Sequence, residues 1–555
     1  MNYQREFIIA KNYLRTGHYD KVVEIINQLL EKYGNDPQLL FDMSLLLAGT
    51  GDYRSALKEL NLSFELEKSY EKLEVLAELN MAIYNFSEAA IQYEELIKYK
   101  KEEKYYDNCV LAYTNLGFDE EAIRIGEMMV KDLPSEPDPY SKLAFLYMSA
   151  GMEKEAIECC ETMEKLFHNH PSTYNLFGLL NETIYNDYEK AKTYYQKAAK
   201  LGFADAFYNL GVCCKQSEDF ENAEKYLKKM IAMHPDTTMD YNFTLGSIYF
   251  ALKKLRLGYK YYQNRRSVKK IKETNRFKLW DGKNYPKETL YIAAEQGFGD
   301  NINFVRYIPL TVKKFKKIYY STRPELLELI KRSLPQEKYP NLEIITNKDS
   351  VKYDKFLPIM DLPFVLHQTF HNIPAKESYL VDDKRKTEMY KKNFFSNDSC
   401  KIGLCWRAKG MDIRDLVYRT IDAPYYFKDI MDLDNVQYYS FQTNDIFDMC
   451  EKYPQIKDLS PMFDSFDETA SMIKNLDILI TVDTAIAHLA GALGVKTYLL
   501  LCHAPDWRWF DNTEKTEWYP SVTIIKQQDR RTWEDVSKKL TKYIKADVKK
   551  FSKSK

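Results

Sequence analysis

A helical repeat array followed by an α/β region with two doubly wound parallel sheets is the fold this sequence predicts. A small residue recurs eight times at a period of 32 to 35 residues, as Val22, Ala56, Ala89, Ala122, Ala156, Ala191, Ala223 and Gly258. Beyond Tyr262 the recurrence stops, and short apolar runs bounded by turn residues replace it. Those runs form two consecutive sets, separated by a charged, apolar-poor stretch from Asp382 to Ser399 that reads as a linker. Strands alternating with helical patterns imply parallel sheets, so two sets imply two sheets facing a cleft.

The repeats come first. Gly17, Gly51, Gly117 and Gly151 each stand five residues before their anchor, with an aromatic two residues later at Tyr19 and Tyr53. Such a Gly ends one helix where the chain must reverse, and the small anchor lets the next helix pack closely. Large residues four positions past the anchors, as at Ile26, Leu60, Tyr93 and Tyr195, complete an apolar face. Period, small position and aromatic position together resemble tetratricopeptide repeats, over residues 4 to 266. The resemblance implies a superhelix, placed at 1–266, whose concave face binds protein segments. A spacing or dimerising array is the plainer alternative, and a homo-oligomer is compatible with either. Glu120, Glu121, Glu153 and Glu155 read as a solvated helix face.

At 555 residues the chain exceeds one ordinary domain, which suits an array plus a second region. With 80 Lys and Arg against 81 Asp and Glu, no global field argues for nucleic acid or an anionic membrane. No stretch of 18 apolar residues and no leader-like start is visible, so membrane insertion is not expected and a cytoplasmic location is. Nine cysteines include Cys159-Cys160 and Cys213-Cys214 but no C-x-x-C pair, which reads as free thiols rather than a zinc site.

In the second region the strand expectations are Thr289 to Glu295, Lys317 to Ser321 and Leu342 to Thr346, then Lys401 to Trp406, Val436 to Phe441, Leu476 to Val482 and Thr497 to Cys502. A glycine loop from Gln296 to Asp300 leads into an amphipathic helix expected over Asn301 to Lys314. Thr532 to Lys550 predicts a basic terminal helix crossing back onto the first sheet.

Two motifs carry chemistry. Gly297-Phe298-Gly299-Asp300 follows a strand as a dinucleotide fingerprint does, but Ile302 stands where the third glycine belongs, and Asp300 could equally be a helix cap. Thr481-Val-Asp483-Thr484-Ala-Ile-Ala-His488-Leu-Ala-Gly491 ends a strand and opens a helix, where backbone amides and the helix dipole favour an anion. His488 shares a face with Thr484 one turn away. Asp432-Leu433-Asp434 spells a metal-binding pair but precedes its strand and reads as a turn. Trp507, Trp509, Trp518 and Tyr519 could stack on a base, and core packing explains them equally well.

Gly297 to Pro309 and Asp483 to Gly494 resemble the first loop and the donor motif of GT-B fold glycosyltransferases of the heptosyltransferase group (family 9), in the form found in bacterial tetratricopeptide glycosyltransferases. Trp280-Asp281-Gly282, Lys401 to Trp406, Arg419-Thr420-Ile421 and Ala504 to Trp509 add to it, and the domain order is similar to that of protein O-linked N-acetylglucosamine transferases (family 41). The resemblance implies an acceptor-side domain over 267–385 and a nucleotide-sugar domain over 400–555. It implies Asp300 as general base, donor contacts from Gly297, Gly299, Asp483, Thr484, His488 and Gly491, and Arg407, Lys409 and Arg419 as candidates for the leaving diphosphate. Arg407 departs from the small, polar pattern usual after that tryptophan. Inverting transfer without metal or other cofactor, from a nucleotide-sugar to flagellin or another surface protein held by the array, is the implied activity. Transfer to lipopolysaccharide or a surface glycan, or a repeat-based binding protein or chaperone with an inactive transferase region, are the alternatives.

Overall fold

A computed structural model of the chain describes residues 3–34, 36–234, 239–295, 297–346, 351–374, 378–408, 419–421, 424–443, 447–510, 514–530 and 532–554. It divides into two compact units, residues 1–206 and 207–555. Among its described residues the first unit is wholly helical, from Gln4–Arg15 through Tyr188–Lys200, in six consecutive pairs. The anchors from Val22 to Ala191 are buried at the pair interfaces.

Each helix pair turns at one left-handed residue five positions before its anchor. Gly17, Gly51, Gly117 and Gly151 hold it at φ of 71 to 89°, and Tyr84 and Asn186 take it at 64° and 53°. The amide after that residue donates to a carbonyl five or six residues back, as from Asp52 to Leu47 and from Phe118 to Tyr113. This closes the first helix in a Schellman-like cap, which is why glycine is favoured there without being required.

Repeats seven and eight belong to the second unit, with helices Ala206–Gln216, Phe220–Met233, Met239–Ala251 and Leu255–Tyr262. The repeat pattern thus runs to Tyr262 while the compact division falls at residue 206. The aromatic faces of the last repeats pack within the second unit. Phe250 stacks on Trp507 with ring centroids 4.3 Å apart, and Tyr262 lies 4.9 Å from the same indole. Arg265, just past the last repeat helix, donates from Nε to Glu295 at 2.7 Å and from Nη1 to Asp361 at 2.7 Å, and Lys272 supplies Asp361 with a second cation. A buried pair of this kind offsets its desolvation only when every charge is met, as here.

Two sheets follow. β1 (Tyr285–Ala293), β2 (Phe315–Thr322), β3 (Leu342–Thr346) and β4 (Lys355–Pro358) lie in the order β3-β2-β1-β4, all parallel. β5 (Cys400–Cys405), β6 (Val436–Ser440), β7 (Ile456–Asp458), β8 (Ile478–Val482), β9 (Thr497–Leu501) and β10 (Val522–Lys526) lie in the order β10-β9-β8-β5-β6-β7, also parallel. The order reverses beside β1 in one sheet and beside β5 in the other, which marks the ligand-binding ends of doubly wound sheets. Residues of both sheets, among them Leu290, Ile318, Leu479 and Leu499, share one buried core.

Three expectations change. Asp382 to Ser399 is not a linker: Lys384–Phe394 is a helix capped by Asp383, and its Tyr390 and the following Phe395 are buried in the core while Lys386 pairs with Asp467 at 2.9 Å. Tyr390, Phe394 and Phe395 dock a helix that is otherwise mostly polar. The helix expected over Asn301 to Lys314 spans only Phe298–Phe304 and tightens into a 3₁₀ turn over Val305–Leu310, where Pro309 removes a donor. The terminal helix, Glu534–Ser554, packs on the second sheet rather than the first, because Val536, Leu540, Ile544 and Val548 form an i, i+4 stripe buried with Ile402, Ile480 and Ile525.

Candidate functional site

A cavity of about 720 Å³ opens where the carboxyl ends of β1, β2, β5, β6 and β8 converge. Both expected motifs line it. Gly297, with no side-chain cap bond, begins the helix Phe298–Phe304, and Thr484 begins the nine-residue helix Ala485–Leu493. The two helices meet at Gly299, where an added Cβ would stand 2.8 Å from His488 Cδ2. At Gly297 an added Cβ would meet Asp300 Oδ2 at 2.6 Å, so the carboxylate would have to turn aside. The residue that ties the loop together is Asn301. Its Nδ2 donates to the carbonyls of Glu295 and Gly297 at 2.7 Å each, and its Oδ1 accepts from the Glu295 amide at 3.2 Å.

Asp300 is not the cap of this helix. It stands within the first turn, and its Oδ1 accepts from Arg508 Nε at 2.6 Å. Arg508 also donates from Nη1 to Asp506 at 2.7 Å, so one half-buried guanidinium bridges two carboxylates that lie far apart in sequence. Burial would raise Asp506, but Arg508 beside it outweighs this and holds its carboxyl below the usual range.

Asp483 follows β8 and is buried. Its carbonyl accepts from Arg419 Nη2 at 2.8 Å and Nε at 3.2 Å, which anchors that guanidinium at the cavity wall. Burial pushes the Asp483 carboxyl up, against the opposing pull of Arg419. Arg407 and Arg323 complete the basic lining, the latter 3.9 Å over the ring of Phe298. Gln442 holds the turn after β5, accepting from the Arg407 amide at 3.0 Å and donating to the Arg407 carbonyl at 3.2 Å. Lys409 lies outside the described residues.

His488 lines the cavity as a neutral ring. Burial first, then the positive charge of Arg508 and Arg306, lowers it to about 3. It stacks on Trp509 at 4.8 Å, and its Nδ1 is 2.8 Å from the Tyr519 hydroxyl. Tyr519 is held protonated by burial. A neutral ring whose Nδ1 is taken up by Tyr519 has Nε2 left for a hydrogen bond and carries no charge. Gly491 does not line the cavity. It sits inside the helix beneath Tyr519, whose ring would lie 2.5 Å from an added Cβ, so the helix residues that line the cavity are Ala485, Ile486 and His488. Trp507, Trp509, Trp518 and Tyr519 are all core side chains. Asp432-Leu433-Asp434 forms the turn before β6.

Sequence reasoning thus reached Gly297, Gly299, Asp300, Arg407, Arg419, Asp483, Thr484 and His488, all of which line one cavity. It missed Arg323, Asp506 and Arg508, whose signal was a position just past a strand or in the aromatic run. Four guanidinium groups against three carboxylates, with the amino end of a helix beside them, give the cleft the kind of donors an anion needs.

Among known proteins, the tetratricopeptide repeat family matches residues 204–237. Protein FlbA of Caulobacter vibrioides is 22% identical over 333 residues, which are 54% of this chain and 54% of that protein, so the chain spans about half the length of this relative. Among solved structures, the C-terminal part of a TPR repeat-containing protein from Cytophaga hutchinsonii is 18% identical, at a TM-score of 0.31 over 42% of this chain and 98% of that one. A tetratricopeptide repeat protein from Parabacteroides merdae is 15% identical, at a TM-score of 0.34 over 43% and 96%. Among the described residues no helix is long and apolar enough to cross a membrane. The chain carries tetratricopeptide repeats followed by an α/β region of parallel sheets.

Proposed function

We propose that this protein is an inverting glycosyltransferase of the GT-B type, which moves a sugar from a nucleotide-sugar to a hydroxyl of a protein bound by its repeats. Flagellin or another bacterial surface protein is the acceptor class we favour. The convergence of Arg323, Arg407, Arg419 and Arg508 on one cavity at the switch points of two parallel sheets carries this reading. A nucleoside diphosphate needs such a set of fixed donors, both to bind and to leave with its negative charge compensated. In the reaction the acceptor oxygen attacks the anomeric carbon, the bond to the diphosphate oxygen breaks, and the acceptor proton passes to Asp300. The cations that stabilise the leaving group would be arginines, without a metal ion in the step. Cytoplasmic action, before any export of the acceptor, fits the need for a nucleotide-sugar.

One observation favours a second reading. Asp300 already accepts a strong hydrogen bond from Arg508, as a structural ion pair would, which suits a binding protein that holds nucleotide-sugars without turning them over. Purified protein incubated with a panel of UDP-, GDP-, CMP- and dTDP-sugars decides between them. Transfer or slow donor hydrolysis, with donor affinity lowered about tenfold or more by Arg419→Ala, is expected of the transferase. Binding without any turnover, with cell lysate as acceptor, would select the binding protein.

A further inference from the structure

The near-neutral total charge hides a division. Residues 1–206 carry 22 Lys and Arg against 35 Asp and Glu, a formal net charge of −13, whereas residues 207–555 carry 58 against 46, a net charge of +12. Charge of one sign concentrated on one unit attracts the opposite sign and repels its own.

Within the acidic unit a cavity of about 600 Å³ opens among the fourth, fifth and sixth repeats. Leu111, Ile123, Phe145 and Leu146 line it together with Asp107 and Asp119. Leu111 is 50% and Phe145 42% exposed. Each stands six residues before the left-handed glycine of its repeat, and Leu45, 41% exposed, occupies the same place in the second repeat. Single exposed apolar residues need no explanation, but the same repeat position used three times marks one face. The one cation in the cavity lining, Lys142, is occupied by Glu103 at 2.7 Å and Asp107 at 2.6 Å, so the rim stays acidic.

We propose that this groove docks a basic, amphipathic segment of a partner protein, whose apolar side chains enter between Leu111 and Phe145 while its Lys or Arg side chains face the acidic rim. Acidic segments and nucleic acid are repelled by the same field. This docking needs no donor and no chemistry in the arginine-lined cleft, so it stands or falls separately from sugar transfer.

The test uses the full chain and a fluorescein-labelled peptide of Lys and Leu in alternating pairs, read by fluorescence anisotropy. Two analogues carry Glu for every Lys, or Ser for every Leu. The parent peptide should bind, and each analogue should bind at least about tenfold more weakly. The double change Leu111→Ser with Phe145→Ser should weaken the parent peptide by about tenfold in a chain that circular dichroism still shows folded at the temperature of the binding measurement. Asp119→Asn, an exposed change, should weaken it a few-fold through the rim charge alone. Undiminished binding by the double variant, or equal affinity for the Glu analogue, overturns the proposal. Salt-dependent self-association that the peptide does not disperse also overturns it, since the groove would then be filled by the basic half of a second copy.

Discussion

A carboxylate that accepts from an arginine and also faces a ligand cavity becomes a base when the ligand draws the arginine away. On the proposed function Asp300 and Arg508 would meet that description, the donor's diphosphate competing for the guanidinium. Asp300→Asn should leave donor affinity equal or tighter, because the carboxylate no longer competes for Arg508, and should lower single-turnover transfer by roughly 10² to 10⁴. Transfer within a few-fold of wild type would remove Asp300 from the mechanism. His488 makes a second residue-scale prediction. Its folded-state value of about 3 lies below the 6.5 of an ordinary histidine, so the unfolded chain binds the extra proton between those limits. Its contribution is complete above the unfolded value and is lost as pH falls, at up to about 1.4 kcal/mol per pH unit. His488→Gln should therefore narrow the difference between melting temperatures at neutral and mildly acidic pH, and an unchanged difference would mean the ring is charged in the fold. Arg508 was not legible at this scale because its partner Asp300 lies 208 residues away, and nothing local in an aromatic run announces a bridging guanidinium.

Elements were legible where burial imposes a period. β3 matches its expected bounds, and β5, β6, β8 and β9 begin and end within two residues of theirs, since a strand buried on both faces is a continuous apolar run. β4, β7 and β10 were not expected; they are three to five residues long, and β4 and β7 pair with a single strand. The repeat turns were legible from glycine in four of eight cases. The other four, Tyr84, Asn186, Glu218 and Lys253, adopt the same left-handed backbone with side chains that oppose it. Gly117→Ala should cost about 1 to 2 kcal/mol, for an added Cβ meets nothing within 4 Å and only the backbone conformation objects. Tyr84→Gly should stabilise by up to about 1 kcal/mol, the relief of strain exceeding the added freedom of the unfolded chain. Thermal melts of both variants check the pair, and the same sign for both would refute the turn argument.

At the scale of the whole molecule, the repeat period marked where the pattern ends, and it could not show that the last two repeats join the α/β region. That depends on which aromatic faces which core. Phe250, Tyr259 and Tyr262 belong to the same buried cluster as Trp507 and Leu290. A fragment of residues 207–555 should be soluble and monodisperse, whereas 270–555 should aggregate because it strips those rings from Trp507. Size-exclusion chromatography distinguishes the two outcomes, and a well-behaved 270–555 fragment would contradict this packing.

That shared core also governs how the arginine-lined cleft breathes. Walls built on separate cores can swing about a hinge, but here one continuous hydrophobic body runs beneath both, pinned where Gly299 touches His488. Such a cleft behaves like a slot cut in a solid block rather than a pair of jaws. A nucleotide-sugar would then enter and leave through the cavity's opening without its walls parting, and the packed rings of Phe298 and Phe466, 4.7 Å apart, hold one wall closed. Small-angle scattering of residues 207–555 should record the same radius of gyration with and without saturating nucleotide.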